Sequence, residues 1–222
     1  MNYLELVRRA SRECGITNRD IITLDGQTGE VLRVKEWVNS AYEEIQNQRR
    51  WDWLWRKTSQ ALVIGTNEYS PTTDWTLSTL EWSGETLKLH DPAVGVTDRQ
   101  PLNFVSWLDF SASYQSPESQ SGRPTVAAVR PDGVIVFNVL PDKAYVFEGE
   151  YYKTSDVLSA NTDVPAMPAQ YHMAIVWGAV MLYAQYEEAG VLMQTASGNL
   201  SRFIGLMMVT ELPISMAASP LA

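Results

Sequence analysis

The chain has 222 residues, a net charge of −9 and a single cysteine, Cys14. A chain of this length buries enough surface to fold without a disulfide or structural metal, and one cysteine agrees with a reducing compartment. The acidic charge and the lack of a Lys/Arg run argue against sequence-specific nucleic-acid binding. The longest stretch without a polar residue, Met173 to Ala184, is shorter than the roughly 18 residues that span a bilayer. We therefore expect a soluble protein with no membrane partner.

Two helices are predicted at the N-terminus. Residues 2–14 carry an apolar stripe, and Gly15 follows as a helix-ending C′ residue. Residues 30–49 form a longer amphipathic pattern, with Thr28 placed to be its N-cap. The N-terminal segment therefore predicts a helical layer.

A change of period follows the second helix. Trp51, Trp53 and Trp55 alternate with other residues, which predicts an extended segment with three indoles on one side. Trp37 lies on the apolar stripe of the preceding helix. We interpret these four tryptophans as a candidate junction between the helical layer and a β layer. The basic residues around them would also suit stacking on single-stranded nucleic acid, which is the less favoured interpretation.

This region carries a family resemblance. The residues that carry it are Gln27, Thr28, Gly29, Glu30, Arg33, Trp37, Val38, Asn39, Ala41, Ile45, Gln46, Trp51, Trp53 and Leu54. They resemble the N-terminal region of bacteriophage head–tail adaptor proteins, also called connector or tail-completion proteins. A looser similarity covers residues 165–212. The resemblance implies a structural virion protein that forms a ring beneath the portal, with no catalytic motif and no cofactor.

The middle of the chain has a β composition. Pro131-Asp132-Gly133 predicts a turn between strands, because Pro presets one dihedral angle and Gly accepts positive φ. With a second turn at 141–143 it predicts a three-strand meander. The meander strands would be residues 125–130, 134–140 and 144–152, with further strands at 57–64 and 86–90 and a short helix at 105–114.

Helical spacing returns in the last quarter of the chain. Pro165 and Pro168 predict the start of a third helix, which ends near Gly190, and a fourth helix follows at about 191–209. The fourth helix carries an apolar stripe at helical spacing: Ala196, Leu200, Phe203, Ile204 and Met207. We therefore expect an α+β fold, a discontinuous four-helix bundle with an inserted antiparallel β-sheet domain. The predicted parts are a bundle from residues 1–55 and 165–210, a β insertion at 56–164 and an extended C-terminal tail at 211–222.

Candidate chemistry is sparse. His90 and His172 are too few to suggest a zinc site with Cys14, so we expect no metal. Glu148 and Glu150 would share one strand face, where a solvated surface is favoured over a glycosidase pair. No nucleophile elbow, phosphate loop or dinucleotide motif is present. We therefore predict that the protein is not an enzyme.

The aromatic content supports an alternative function. Eight tryptophans and ten tyrosines could include exposed rings that stack on sugars. Trp75, Trp82 and Trp107 are the candidates for such a platform. The alternative is therefore a carbohydrate-binding β module of a phage tail accessory protein.

The C-terminal tail is apolar, and Glu211 is its only charge. Its apolar side chains, Leu212, Ile214, Met216 and Leu221, are candidates for binding the portal, and a disordered tail is the alternative. The resemblance implies further partners: a downstream tail or nozzle protein, other copies of the chain in a homo-oligomeric dodecamer, and duplex DNA only as passing cargo. It places the protein in the neck or tail of the virion, after assembly in the host cytoplasm.

Overall fold

The computed structural model describes residues 1–16, 21–114 and 120–212. Its contacts divide the chain into a helical unit, from Met1–Leu54 and Ser155–Ala222, and a β unit, Trp55–Thr154. The helices are α1 (Tyr3–Glu13), α2 (Gly29–Gln48), α3 (Pro71–Asp74), α4 (Trp107–Ser113), α5 (His172–Tyr186) and α6 (Gly190–Thr210). The strands are β1 (Trp55–Ala61), β2 (Glu68–Tyr69), β3 (Thr79–Trp82), β4 (Lys88–His90), β5 (Gln100–Pro101), β6 (Asn103–Phe104), β7 (Ser121–Gly122), β8 (Val126–Val129), β9 (Ile135–Phe137), β10 (Leu140–Pro141) and β11 (Val146–Lys153). Helices with mostly antiparallel sheets confirm the predicted α+β class.

The ends of the first two helices follow from local sequence. Asn2 accepts a hydrogen bond from the Glu5 N–H, and the Glu5 carboxylate accepts one from the Asn2 N–H, both at 2.9 Å, which forms a capping box for α1. Gly15 follows α1 with φ of +70°, as predicted. Thr28 is the N-cap residue of α2, but its side chain makes no capping hydrogen bond.

Helix α5 is the centre of the helical unit. It contains no Asp, Glu, Lys or Arg, and most of its residues are buried. It packs against α1, α2 and α6. Gly178 brings α5 close to α2, since a Cβ added there would lie 2.7 Å from the Ala41 Cβ. Helix α6 packs mainly on α5, with sparse contact to α1 and α2. A four-helix bundle therefore stays a prediction, with α5 as the shared layer.

The chain enters α5 later than predicted. Pro165 and Pro168 precede a short 3-10 turn, Ala169–Tyr171, and the helix begins at His172. The residue before a proline avoids the helical region, so Met167 cannot extend a helix through Pro168.

Two amide side chains of α2 hold the chain that returns from the β unit. Asn39 donates to the Leu158 carbonyl at 2.9 Å and accepts from its N–H at 3.0 Å. Gln46 makes the same pair of bonds with Asp156, both at 2.9 Å. Each side chain therefore satisfies a backbone donor and acceptor as a neighbouring strand would.

The predicted extended tryptophan segment is wrong between Trp51 and Leu54. Asp52–Leu54 is a 3-10 turn, and extended backbone begins only at Trp55. The buried Trp51 Nε1–H donates to the Ile45 carbonyl at 2.6 Å, which turns the chain back onto the end of α2. A buried indole N–H needs a partner, and this bond outweighs the period-2 pattern.

The β unit is built from two larger sheets and a small parallel pair. In the first sheet β11 lies between β1 on one side and β4 and β3 on the other, and β5 extends it beyond β4. The register pairs Trp55 with Tyr152 at one end of β1 and Ala61 with Val146 at the other. The second sheet has the order β2-β9-β8-β6, and β10 pairs with β7.

The predicted meander is half correct. β8 and β9 form the expected hairpin, with Gly133 at φ of +85° in the Pro131-Asp132-Gly133 turn. β11 does not pair with β9 but joins the other sheet. The inward side chains of β11, Phe147 and Tyr151, complete an aromatic core between the two sheets. The ring centroids of Phe147 and of Phe137 in β9 are 5.8 Å apart. Burial of this core therefore decides the sheet to which β11 belongs.

Other predicted elements of the β unit are confirmed with shifted bounds. The strand predicted at 57–64 is β1, and the strand predicted at 86–90 is β4. The short helix predicted at 105–114 is α4, capped by Ser106, whose hydroxyl accepts from the Asp109 N–H.

Candidate functional site

The root of the C-terminal tail is anchored to the helical unit. The Asp52 N–H donates to the Glu211 carbonyl at 2.8 Å. The Tyr171 hydroxyl lies 2.6 Å from the Thr210 Oγ1 at the last turn of α6. Leu212 is half-buried beside this anchor. Thr210 and Glu211 are therefore both hydrogen-bonded to other segments of the helical unit.

Most of the candidate portal-binding residues lie outside the described part of the chain. Ile214, Met216 and Leu221 belong to residues 213–222, which the structure does not describe. Only Leu212 of the four candidates has a described position, and their role stays a prediction.

The four junction tryptophans occupy different environments. Trp37 is half-buried in α2 and packs on Tyr183 and Tyr186 of α5, with ring centroids 5.9 and 5.8 Å apart. Trp51 and Trp53 stack on each other with centroids 6.3 Å apart. Trp55, at 40% exposure, begins β1. The structure therefore brings together Trp51 and Trp53, and the junction role of the set stays a prediction.

Charged residues brace a loop at one end of the β unit, which connects β4 to β5. At its start, the Asp91 carboxylate accepts from Lys143 Nζ at 2.8 Å and from the Ala93 N–H at 2.9 Å. At its end, the Asp98 carboxylate accepts from Arg123 at 2.7 Å and from the Asp91 N–H at 2.9 Å. These bonds close the loop on itself and tie it to two other segments.

Arg123 is the central cation of this network. Its second terminal nitrogen donates to the carbonyls of Leu89 and Asp98, at 2.7 and 2.8 Å, and its guanidinium lies 5.4 Å from the centre of the Tyr145 ring. The hydrogen bond from Lys143 lowers the pKa of Asp91, and the N–H of Asp91 followed by Arg123 lowers the pKa of Asp98. Both carboxylates are therefore ionised at neutral pH. Between them, the loop exposes Val94 and Val96.

Glu148 is not on a solvated strand face as expected. Its side chain is only 12% exposed and accepts a hydrogen bond at 2.8 Å from Arg99, which ends the β4–β5 loop. The buried His90 Nδ1 lies 3.7 Å from the same carboxylate oxygen, which is beyond hydrogen-bond distance. Glu148 therefore has an ion-pairing partner, and a role with Glu150 as an acid/base pair finds no support.

His172 is a buried packing residue at the start of α5. Its Nε2–H donates to the Met167 carbonyl at 3.0 Å, so its Nδ1 accepts from the Met1 amine at 2.8 Å. Burial lowers the pKa of His172, and the Met1 ammonium lowers it further. The ring is therefore held neutral.

The carbohydrate interpretation loses two of its three residues. Trp75 and Trp82 are buried in the aromatic core of the β unit, where Trp75 stacks on Phe147 at 5.2 Å. Trp107 is half-buried and stacks on Phe110 of α4. A sugar platform needs exposed ring faces, so Trp75 and Trp82 cannot supply one.

Within residues 1–16, 21–114 and 120–212, no cluster of His, Cys, Asp or Glu has the geometry of a metal site. None of the helices in that described part combines the length and hydropathy needed to cross a bilayer. Burial raises the pKa of the Cys14 thiol to about 12, which leaves it protonated. The Cys14 thiol therefore lacks the lowered pKa of an activated nucleophile.

Sequence reasoning missed the braced loop. Its ion pairs join residues such as Asp91 and Lys143, far apart in the chain, and no local spacing signals such contacts. It also missed the outer face of α6. The stripe Ala196, Leu200, Phe203, Ile204 and Met207 is buried or half-buried as expected, but other apolar residues of this helix remain exposed.

Comparison with models of known protein families gives a match over nearly the whole chain. The sequence model of the family described as SU10 adaptor protein matches residues 1–220. No curated protein matches the chain.

Proposed function

Because the chain belongs to the SU10 adaptor family, a family of phage head–tail adaptors, we propose that it forms a ring beneath the portal and continues the DNA channel toward the tail. The observation that carries this proposal is the family match over residues 1–220. Its partners are the portal protein on one side and a tail or nozzle protein on the other. The protein is then a component of the virion neck, assembled in the host cytoplasm.

Copies of the chain are the third partner. The expected copy number is twelve, because the resemblance to head–tail adaptors implies that the ring matches the symmetry of the portal. The net charge of −9 supports a wall past which DNA moves, because weak repulsion keeps the duplex from binding. The family is one of structural adaptors rather than enzymes, and the proposed role requires no catalysis.

We further propose that the C-terminal tail binds the portal. Proline at 213 and 220 restricts the tail, so it loses less entropy on binding than a Gly-rich tail would. Burial of Leu212, Ile214, Met216 and Leu221 would contribute a few kcal/mol, at roughly 25 cal/mol per Å² of apolar surface.

The anchor at Glu211 determines how the tail is tested. A deletion that begins at residue 213 keeps the bond between the Asp52 N–H and the Glu211 carbonyl, whereas one that begins at 211 removes it. The deletion of 213–222 is compared with a full-length triple variant, Ile214→Ser, Met216→Ser and Leu221→Ser. Both should keep the circular dichroism of the wild type and lose at least about tenfold in affinity for the cognate portal.

Single-particle imaging of the recombinant protein mixed with portal tests the ring itself. We expect rings seated on one face of the portal. Undiminished portal affinity in both tail variants would remove the tail from the interface while leaving the ring intact. No association of the wild-type protein with portal at micromolar concentrations would contradict the proposed function.

A further inference from the structure

The outer face of α6 is apolar where a surface helix is usually charged. Arg202 is the only charged residue in Gly190–Thr210, and the helix contains no carboxylate. Val191 and Val209 are 84% and 83% exposed, and Leu206 is 51% exposed. An isolated surface helix would place polar side chains on this side. The composition therefore fits a helix that is covered on both faces.

The backbone of this face is also open to close approach. Gly198 and Gly205 follow Val191 at seven-residue spacing, so the three positions lie along one side of α6. A Cβ added at either glycine would meet no atom of the described chain within 4 Å. Each glycine costs the helix about 1 kcal/mol relative to alanine, and no described residue packs against it in return. The hollows they leave can receive side chains of a second molecule.

A second group of exposed apolar side chains, the Ile22–Val157–Val164 patch, belongs to segments that bond to α1 and α2. Ile22, Val157 and Val164 are 79%, 62% and 62% exposed. Their segments are joined, because the Leu24 N–H donates to the Asn161 side chain at 2.9 Å. These segments pack with α1 and α2, whereas α6 packs on α5 and has sparse contact with α1 and α2.

Charge distinguishes the two surfaces. Helix α2, whose Asn39 and Gln46 bond the residues on either side of Val157, exposes the carboxylates of Glu36, Glu43 and Glu44. Two identical chains of charge −9 repel each other, and the repulsion is smallest where one of the two surfaces has no carboxylate. The α6 face meets this condition, and its Arg202 is complementary to the carboxylates of α2.

Resting on the ring of the proposed function, we propose that the outer face of α6 binds the Ile22–Val157–Val164 patch and the adjoining acidic side of α2 in a neighbouring copy. The two surfaces consist of different residues of one subunit, so the contact is head-to-tail. Head-to-tail contacts close into a ring when the rotation between subunits is suitable. The occupant of the α6 face is therefore a second copy of this chain.

Cysteine cross-linking tests the geometry of this contact. In a Cys14→Ala background, one chain carries Gly198→Cys, which the open space accommodates, and another carries Val164→Cys. We expect a disulfide-linked pair when the two chains are mixed, little linkage in either chain alone, and a ladder of oligomers when one chain carries both cysteines. Dimers of the Gly198→Cys chain alone would show a symmetric contact instead, and absence of a mixed pair would overturn the proposal.

Charge substitution tests the partner. Leu206→Glu should weaken self-association at least tenfold in analytical ultracentrifugation while monomer affinity for portal is retained. Leu80→Glu is the matched control, because Leu80 in the β unit is similarly exposed, at 47%. Loss of portal affinity without loss of self-association would identify the portal as the occupant and overturn the proposal. If Leu206→Glu assembles as the wild type does, the proposed contact is wrong, but the proposed ring is not affected. If the wild-type protein neither assembles nor binds portal, the proposed function is contradicted as well.

Discussion

The close approach of α2 and α5 at Gly178 makes a quantitative prediction for Gly178→Ala. The added methyl carbon would lie 2.7 Å from the Ala41 Cβ, whereas carbon atoms pack at about 3.5–4.0 Å. The two helices must therefore separate by roughly 1 Å in a core that is otherwise close-packed. Overpacking of this kind costs about 1–3 kcal/mol, and alanine returns about 1 kcal/mol of helix propensity. We expect a net loss of about 1 kcal/mol in the free energy of unfolding.

Gly205→Ala is the matched control, because the same substitution in α6 meets no atom of the described chain within 4 Å. At protein concentrations where the chain is monomeric, it should gain about 1 kcal/mol from propensity alone. The difference between the two variants, about 2 kcal/mol, then isolates the packing cost. Urea unfolding followed by the helical circular dichroism signal measures both, since the long helices belong to the helical unit.

A compensating substitution makes the test stricter. Ala41→Gly combined with Gly178→Ala transfers the methyl group from one helix to the other and restores the contact volume. The double variant should therefore be more stable than the sum of the two single changes by about 1–3 kcal/mol. Equal gains from Gly178→Ala and Gly205→Ala, with no coupling to Ala41, would refute the close helix contact.

Other substitutions and measurements test the buried groups and the braced loop. Because the pKa of His172 is lowered in the folded protein, the ring takes up a proton on unfolding at pH values below the ordinary histidine pKa of about 6.5. The free energy of unfolding of the wild type should therefore fall from about pH 7 toward pH 5, by at most about 1.4 kcal/mol per pH unit. His172→Gln should remove this slope in urea titrations. Trp51→Phe leaves the Ile45 carbonyl without its donor and should cost about 1–3 kcal/mol in the same assay. Cys14, with its pKa raised to about 12, should react with a thiol reagent near pH 8 on the order of a thousandfold more slowly in the folded than in the urea-unfolded protein. Arg123→Met should speed hydrogen exchange in residues 91–99, while the exchange of α5 stays unchanged. Equal pH slopes for the wild type and His172→Gln would contradict the burial of His172, and undiminished stability of Trp51→Phe would contradict the Trp51–Ile45 hydrogen bond. Rapid labelling of native Cys14 would contradict its raised pKa, and unchanged loop exchange in Arg123→Met would contradict the contacts of Arg123.

Local signals in the sequence predicted the helices and the hairpin well. Gly15 ends α1, and the Pro131-Asp132-Gly133 turn joins β8 to β9, because the dihedral angles these residues favour are set within a few positions. The failures depend on particular side-chain contacts rather than on local dihedral preferences. The Trp51 indole bonds back to Ile45, and β11 chooses its sheet by burying Phe147 against residues of other strands. No spacing along the chain records either contact.

The candidate surfaces were predicted less well for a related reason. Apolar spacing in α6 correctly indicated one packed stripe, yet it could not show that Val191 and Val209 stay exposed, since a sequence does not say how many neighbours a helix has. Similarly, the high tryptophan content allowed a sugar platform until burial placed Trp75 and Trp82 in the core. The tail residues beyond Leu212 keep only their sequence-based prediction.

The pairing of Trp55 with Tyr152 has a consequence for the order of folding. The helical unit needs α2 and α5, which are separated in the chain by the whole β unit, and closing so long a loop costs entropy before any helix contact forms. Once β1 pairs with β11, however, the two ends of this loop are about one strand spacing apart, near 5 Å. The β unit is also synthesised before α5, so it can fold before α5 is available to pack on α1 and α2. Folding of the β unit then brings together the two chain segments that form the helical unit. Substitutions that weaken the β1–β11 pairing should therefore slow the formation of the helical unit, although they alter no contact between helices.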